Sequence, residues 1–423
     1  MKKELLAAIK EIPVIDVHSH FNIEKPKPSH PDNLLFYHML CYPMASVGGS
    51  IKLLWPDEEV LWKKRLEEFF SLKPSVENSF FFSLLKDILA ELYDFKKDLT
   101  YETYDEFEEK FNKINNDPDR TSRIFEENHI EGVLTSNFNL NFQLEYDWQK
   151  KVFFTFERSP LSGIREYVPW YERLNFLKEK KGINIKSVED LDELFETFFS
   201  EYKWDSFHAF VCWISSVADF TPVPYKVINK IIKKCLKNDK INKEESNLLD
   251  AAAVRAMCKA LKNKTKVFQL VYGIQYLFQG RQYAQNRANF DYITGLGYLF
   301  KEFPEIHFNI LSGYELHEPL LCSLCLAFPN VSIAGFWWQM FYPSVMRNSL
   351  NRRLDMLPSS KLMMFFSDAY CVDWLWARLK VCRSVLADIL IKKIEYDGWS
   401  FDFALKIAKD LLYDTPYKIF LKN

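Results

Sequence analysis

Eight short apolar runs recur along the chain, and each is followed by a stretch whose pattern is typical of a helix. Parallel strands that are covered by helices read as near-continuous apolar segments, because both of their faces are buried. Eight such alternations predict an α/β fold, the (β/α)8 or TIM barrel. The runs are VIDVHSH (14–20), EGVLTSN (131–137), KVFFTFE (151–157), SFHAFVCW (206–213), KVFQLVYG (266–273), IHFNILSG (306–313), NVSIAGFWW (330–338) and LMMFFSD (362–368).

Uneven spacing of these runs predicts helical insertions on one barrel domain that spans residues 1–423. Residues 21–125 separate the first two runs and carry aromatic-rich segments of helical period, VLWKKRLEEFFSL and SFFFSLLKDILAELYDF. Further helical insertions are expected at 160–205 and 214–265. The low glycine content, 12 residues, and the lack of linker-like sequence favour one domain over independent modules.

The charge and hydropathy of the sequence exclude some classes of binding partner. The formal net charge is −2 and no basic run is present, so no nucleic-acid partner is expected. No window approaches roughly 18 consecutive apolar residues, and the apolar start of the chain is broken by Lys10 and Glu11, so neither a membrane span nor a signal peptide is expected. These features predict a cytoplasmic protein with reduced cysteines and a small-molecule substrate, and they leave a homo-oligomer open. Cys322 and Cys325 form a CxxC in an apolar helical segment, which favours core packing over a zinc or redox site.

The first run ends in two histidines, His18 and His20. Residues i and i+2 of a strand point to the same face, so the two imidazoles can grip one metal ion, although surface or buried structural histidines give the same pattern. Asp368 ends the eighth run, and the first and eighth strands become neighbours when a barrel closes. Two imidazoles and one carboxylate at the carboxyl ends of strands are typical of a catalytic zinc site with an open fourth position. The sequence therefore predicts one divalent metal, zinc, at His18, His20 and Asp368.

Other side chains are expected at the same face of the barrel. Arg158 follows the third run, and Trp337 and Trp338 end the seventh. Together with His317, in the loop after the sixth run, they are predicted to bind the substrate. His307 begins the sixth run, at the opposite face, and is expected to be structural. The remaining histidines in inserted or helical regions are interpreted as surface or packing residues: His30, His38 and His129.

The chain resembles uronate isomerases (glucuronate isomerases) of the amidohydrolase superfamily. The HxH after the first run and the aspartate after the eighth are marks of that superfamily. The narrower resemblance is carried by LTYETYDEFEEKFN, LAFPNVSIAGFWW, FFSDAYCVDWLWARLKVCRSVLADIL and LLYDTPYKIF. It implies a barrel of the metal-dependent hydrolase type that interconverts an aldose and a ketose form of a sugar acid such as glucuronate. It also implies metal ligands at His18, His20 and Asp368.

Several positions depart from the pattern that the resemblance implies. Tyr370 stands in place of the arginine in the family's strand-eight Asp-Ser-Arg. Glu157 stands at the strand-three arginine, with Arg158 one place late. His208 falls on a family histidine that follows a catalytic aspartate, but Phe207 replaces that aspartate. The strand-five histidine and the arginine after it fall on Val271 and near Tyr276.

These changes remove positive charge that would face a substrate carboxylate, so a less acidic substrate is expected unless Arg158, Arg281 or Arg287 moves in. The predicted catalytic residues are Asp368, His208 and Tyr370. Three functions stay open: a metal-dependent isomerase of the uronate isomerase kind, a metal-dependent hydrolase or lyase in which Asp368 accepts a proton, and a metal-binding barrel without catalysis.

Overall fold

A barrel of eight parallel strands forms the centre of the molecule, which confirms the predicted (β/α)8 fold. The computed structural model describes residues 1–56, 60–137, 139–141, 143–161, 168–215, 217–273, 275–276, 284–285 and 290–422. The barrel strands are β1 (Val14–Ser19), β2 (Ile130–Thr135), β3 (Val152–Phe156), β4 (Ala209–Trp213), β5 (Val267–Tyr272), β6 (His307–Ser312), β7 (Val331–Ala334) and β8 (Leu362–Met363). Two further strands, Gln275–Tyr276 and Ala284–Gln285, pair with each other in antiparallel fashion.

Neighbouring strands in the barrel are also neighbours in the sequence, from β1 through to β8. The chain closes the barrel just beyond β8, where single hydrogen bonds replace a regular ladder. Val17 donates its backbone N–H to the carbonyl of Phe365 at 3.2 Å, and Asp368 donates to the carbonyl of His18 at 3.2 Å. The backbone therefore brings Asp368 beside His18 at the end of the barrel where the strands finish. We call this end the carboxyl face.

Helices surround the barrel and fill the long connections between strands. Amphipathic segments such as YDEFEEKFN form helices whose aromatic side chains, Phe107 and Phe111 among them, are buried against the core. The helices are α1 (Lys2–Lys10), α2 (Asp32–Leu35), α3 (His38–Ser46), α4 (Ile51–Leu54), α5 (Trp62–Val76), α6 (Phe80–Leu92), α7 (Tyr104–Asn115), α8 (Arg120–Glu127), α9 (Trp170–Lys181), α10 (Val188–Ser200), α11 (Tyr225–Leu236), α12 (Lys243–Leu261), α13 (Phe290–Glu302), α14 (Glu318–Ala327), α15 (Pro343–Met356), α16 (Val372–Asp397) and α17 (Phe401–Lys409).

The segment between β1 and β2 is attached to α16, which starts four residues after Asp368. Arg120 on α8 makes two hydrogen bonds to the carboxylate of Asp373, at 3.0 and 2.5 Å, and both side chains are buried. Trp374 stacks on Tyr37 with ring centroids 4.1 Å apart. A buried, bidentate ion pair is geometrically specific. These contacts fix the start of α3 close to the carboxyl face.

Cys322 and Cys325 pack in the core, on α14. Both thiols are free and buried, and burial raises the pKa of Cys322 to about 11 and that of Cys325 to about 12. Thiols in such surroundings are inert. Within the described ranges, none of the helices is both long enough and apolar enough to cross a membrane.

Candidate metal centre

The two histidines of the first run lie at the carboxyl end of β1. His18 is buried, and its ring stacks on Phe366 with centroids 5.1 Å apart. His20 is partly exposed, and its Nδ1 lies 2.9 Å from the hydroxyl of Ser136, which follows β2. The two imidazole rings are 5.3 Å apart and nearly perpendicular. Each ring is thus held by a different neighbour while both face the same site.

Asp368 brings the third candidate ligand into this site. Its backbone has a φ of 55°, in the left-handed region that aspartate tolerates better than most residues. Its Oδ1 lies 3.3 Å from Nε2 of His20. One ligand atom from each of His18, His20 and Asp368 lies within 4.8 Å of the other two. The structure therefore brings the three predicted metal ligands together.

A third histidine, His38, approaches the other oxygen of Asp368. Its Nε2 lies 3.4 Å from Oδ2, so the carboxylate sits between His20 and His38. His38 is the first residue of α3, and the preceding Tyr37 donates its hydroxyl to the backbone carbonyl of Asp368 at 3.3 Å. The position of His38 in an inserted segment predicts a surface or packing residue, but the structure places it at the centre, against Asp368.

Burial and mutual charge tune the titration of this cluster. Burial lowers the pKa of His18, and the neighbouring His20 lowers it further. Burial would also lower the pKa of His20, but its hydrogen bond to Asp368 and the charge of that residue raise it overall. Burial would raise the pKa of Asp368, yet the hydrogen bonds from His20 and His38 hold it well below its usual range. Asp368 is therefore ionised at neutral pH.

The donor set fits a divalent metal. Neutral imidazole and ionised carboxylate are the protonation states in which these side chains act as ligands. Two nitrogens and one oxygen from three side chains match the protein ligands of catalytic zinc sites, which keep a fourth position for water or substrate. His18 and Asp368 are almost fully buried, so little water competes for them.

Of two aromatic residues predicted for the site, Tyr370 lies beside these ligands and Trp338 packs against α3. Tyr370 stacks on His20 with ring centroids 5.0 Å apart, its edge meets His38 at 5.7 Å, and about half of its side chain is exposed. Trp338 contacts Tyr42 of α3 at 4.6 Å and has a φ of 54°. A left-handed backbone at such a bulky residue costs about 1–2 kcal/mol, and strain of this kind clusters at functional sites.

A carboxylate, Glu157, also belongs to this face. It follows β3 directly, and the indole N–H of Trp213, at the end of β4, donates to its Oε1 at 2.5 Å. Trp337 packs edge-on against Trp213 with centroids 4.9 Å apart. The charge of Glu157 acts on both His18 and His20 and favours the protonated form of each. It opposes the lowering of the His18 pKa by burial and adds to the raised pKa of His20. Arg158, the next residue, is exposed.

His208 lies at the opposite end of the barrel from the candidate ligands, contrary to its predicted catalytic placement. The residue precedes β4, so it occupies the amino end of that strand. Its Nδ1 lies 3.1 Å from the backbone carbonyl of Phe420, near the end of the chain, and burial lowers its pKa. Phe207 beside it packs on Phe156 and Trp204. An aspartate at position 207, which the resemblance implies, would therefore lie away from the carboxyl face.

His317 occupies a separate place on the carboxyl face, beside the ends of β5 and β6. It is fully buried between Tyr272 and Tyr314, with ring centroids at 5.4 and 5.1 Å. A methyl group placed on Gly273 would come within 3.3 Å of its Nδ1, so the backbone approaches this ring closely. The structure therefore places His317 in an aromatic cage. The arginines at 281 and 287 and the side chain of Tyr276 lie outside the described residues.

Comparison with known proteins identifies the architecture. No protein-family model matches the chain, and no curated protein matches it. A uronate isomerase from Thermotoga maritima matches with a TM-score of 0.78 at 18% identity, over 99% of this chain and 97% of that one. A glucuronate isomerase from Caulobacter crescentus matches with a TM-score of 0.77 at 16% identity, over 99% and 93%.

A uronate isomerase from Bacillus halodurans matches with a TM-score of 0.69 at 18% identity, over 100% of this chain and 96% of that one. The chain has the fold of uronate isomerases. The resemblance that the sequence motifs indicate is thus confirmed at the level of the fold.

Proposed function

We propose that the chain is a metal-dependent aldose–ketose isomerase of the uronate isomerase kind, with one divalent metal, zinc, held by His18, His20 and Asp368. The observation that carries the proposal is the convergence of three ligand atoms within 4.8 Å at the carboxyl face of the barrel. Active sites of (β/α)8 barrels lie at this face. The shared fold supports the same class of reaction.

The bound metal would polarise a substrate oxygen and so make the neighbouring C–H more acidic. Isomerisation moves a proton between adjacent carbons, which requires a base that stays ionised at neutral pH. We assign this role to Asp368, the ionised carboxylate of the centre. The contacts with His20 and His38 that keep it ionised also weaken it as a base, so the transfer relies on the metal to acidify the C–H bond. Tyr370 presents an exposed phenol beside His20 and is positioned to hydrogen-bond a substrate hydroxyl.

The walls of the site suit a sugar. Trp337 and Trp338 are adjacent aromatic residues on this face, and Trp338 also contacts Tyr42. Flat aromatic rings offer apolar area together with polar edges, which matches the mixed character of a sugar ring. Glu157 sets a negative charge near His18 and His20, so we propose a substrate that is less acidic than a uronate. Arg158 is assigned to the rim of the site.

One observation favours a second candidate function. Glu157 and Asp368 are two carboxylates near the same histidines. Such a pair would also suit a hydrolase, in which the metal would supply an acidified water and Asp368 would accept its proton. A hydrolase would act on neutral lactones, amides or esters, and an isomerase would not.

Metal analysis of the purified full-length protein tests the metal centre. We expect about one equivalent of zinc per chain in the wild type and little in His18→Ala and His20→Ala, since losing one of three protein ligands weakens a site of this kind severely. His129→Asn is the matched control, because His129 lies next to Glu11 on the surface and asparagine accepts its positive φ of 49°. Equal zinc content in all four proteins would refute the proposed site.

Activity of the zinc-loaded protein then separates the two functions. Conversion of aldoses to ketoses, lost in His18→Ala and retained in His129→Asn, is expected for an isomerase. Cleavage of neutral lactones, amides or esters that is lost in His18→Ala and retained in His129→Asn would instead establish the hydrolase.

A further inference from the structure

Amide and hydroxyl side chains cross the interior of the barrel, where apolar layers normally pack. Gln269 on β5, Asn309 on β6 and Ser332 on β7 are fully buried. Gln269 pairs with Asn309 in the β5–β6 register, and Asn309 pairs with Ser332 in the β6–β7 register, so the three belong to one layer. Burying amides is costly unless they are hydrogen-bonded, so the partners of each atom are informative.

One acceptor, the Oε1 atom of Gln269, takes no part in the hydrogen bonds of this layer. Asn309 Nδ2 donates to Ser332 Oγ at 2.9 Å, and Ser332 Oγ lies 2.8 Å from Nε2 of His307. Gln269 Nε2 donates to Asn309 Oδ1 at 3.3 Å and to the backbone carbonyl of Val17 at 2.8 Å. Both amide protons of Gln269 are therefore used, and only its Oε1 has no role in the layer.

The orientation of the Gln269 amide is fixed by Val17. A backbone carbonyl can only accept a hydrogen bond, so the NH₂ group of Gln269 has to face it. Turning the amide around would set Oε1 against the Val17 carbonyl, two acceptors in contact, and would leave both amide protons without these partners. The free acceptor of Gln269 is therefore defined by the structure.

A ring nitrogen on β1 could supply the complementary donor. Among the residues that the structure describes, Gln269 Oε1 and His18 Nδ1 are both buried without a hydrogen-bond partner. Gln269 Nε2 donates to the carbonyl of Val17, the residue directly before His18, at 2.8 Å, so the Gln269 amide reaches the His18 segment of β1. A buried polar atom without a partner destabilises the fold, and one hydrogen bond between these two atoms would satisfy both.

We propose that Gln269 is a positioning residue of the metal centre, which accepts the Nδ1 proton of His18 and leaves Nε2 of that ring unprotonated for the metal. The inference rests on the proposed function in that it takes His18 as a ligand. Ligating histidines usually donate their other ring N–H to such an outer partner, which fixes both the tautomer and the ring orientation. The hydrogen bonds of the polar layer would then hold the Gln269 side chain in this orientation.

The tautomer of His18 tests the proposal without any metal. Long-range proton–nitrogen spectra of the metal-free protein, labelled at histidine nitrogen, distinguish a protonated Nδ1 from a protonated Nε2. The signal of His18 is assigned by its loss in His18→Asn. We expect Nδ1 to carry the proton in the wild type, and a mixture of tautomers in Gln269→Met. A wild-type ring protonated at Nε2 would overturn the proposal.

Zinc affinity, measured by competition with a chelator, gives the second readout. Gln269→Met should bind zinc about 10- to 100-fold more weakly than the wild type, the usual effect of removing an outer partner. Gln149→Met is the matched control, because Gln149 is also buried but accepts from the backbone N–H groups of Glu145 and Tyr146. It should lose stability and keep the wild-type affinity.

The two readouts keep the possible failures apart. Wild-type affinity in Gln269→Met would refute the positioning role. A wild type that binds no zinc would refute the proposed metal centre, while the tautomer measurement would still decide the role of Gln269. Should Gln269→Met fail to fold, the wild-type tautomer alone decides the question.

Discussion

Replacing Glu157 with glutamine should raise the activity of the zinc-loaded protein on glucuronate and leave its activity on glucose nearly unchanged. The two sugars form a matched pair, because glucuronate carries a carboxylate where glucose carries a hydroxymethyl group. Glutamine keeps the size of the side chain and an oxygen for the N–H of Trp213, whose bond to Glu157 measures 2.5 Å. The change therefore removes a charge and little else.

The magnitude follows from the charges at the carboxyl face. Two negative charges about 6 Å apart repel by about 3 kcal/mol at an effective dielectric constant of about 20. In addition, Tyr370 cannot replace an arginine, and a lost charged hydrogen bond costs about 1.5–3 kcal/mol. We expect weak or absent turnover of glucuronate and galacturonate by the wild type. Removing the charge of Glu157 should raise kcat/KM on glucuronate about 100-fold.

Phe207 does not contribute to this loss, although the resemblance to uronate isomerases implies an aspartate there. The structure places Phe207 at the amino end of β4 and packs it on Phe156 and Trp204. A missing charge at that position is remote from the substrate. The expected loss therefore concerns substrate recognition and not the loss of a proton-transfer group.

The assay follows the keto product from glucuronate, galacturonate and glucose with the wild type and Glu157→Gln. Glu179→Gln, an exposed residue on α9, serves as the control for a change of net charge alone. Wild-type turnover of either uronate near 10 per second, an ordinary enzyme rate, would refute the charge argument. So would a Glu157→Gln variant whose preference between glucuronate and glucose equals that of the wild type.

Two further predictions concern stability. Asp373→Asn leaves Arg120 buried without its charge partner and should lower the free energy of unfolding by about 3–5 kcal/mol. The double variant Arg120→Met with Asp373→Leu should recover most of that loss. If chemical denaturation shows that the two losses add in the double variant, the prediction is wrong. Burial lowers the pKa of His307 from 6.5 to about 4. As the pH falls below about 6.5, the unfolded chain therefore takes up a proton before the folded protein does. The free energy of unfolding should decrease by about 2.5 kcal/mol by pH 4.5. His307→Asn should flatten that fall, and parallel pH profiles of wild type and variant would contradict it.

The barrel could be predicted because its strands are buried on both sides and are therefore continuously apolar. VIDVHS and IHFNILS stand out in the sequence and coincide with β1 and β6 almost to the residue. The run SFHAFVCW placed His208 inside the predicted strand, which is wrong. An apolar run does not show at which residue the hydrogen bonding of the strand begins. Strand β4 starts only at Ala209, which places His208 before the strand and away from the carboxyl face.

His38 could not be predicted from a pattern. It lies 18 positions after His20, on a short helix. The number of residues between the two histidines does not determine how far apart they lie in the fold. Its place depends on Tyr37, which stacks on Trp374 and bonds to the carbonyl of Asp368. Contacts between segments this far apart in sequence are decided by packing. Gln269 and Asn309 did leave a signal, since each is the lone amide of its strand and is flanked by apolar residues.

Each candidate ligand is oriented by a different segment of the chain. His20 is held by Ser136 after β2, Asp368 by His38 of α3, and His18, on our proposal, by Gln269 of β5. Orienting bonds from separate segments have to be satisfied together, because each segment is fixed by its own packing. The geometry of the centre is therefore a property of the closed barrel with α3 docked against it. Zinc affinity should consequently respond to changes in the barrel interior more strongly than to changes on the exposed helices.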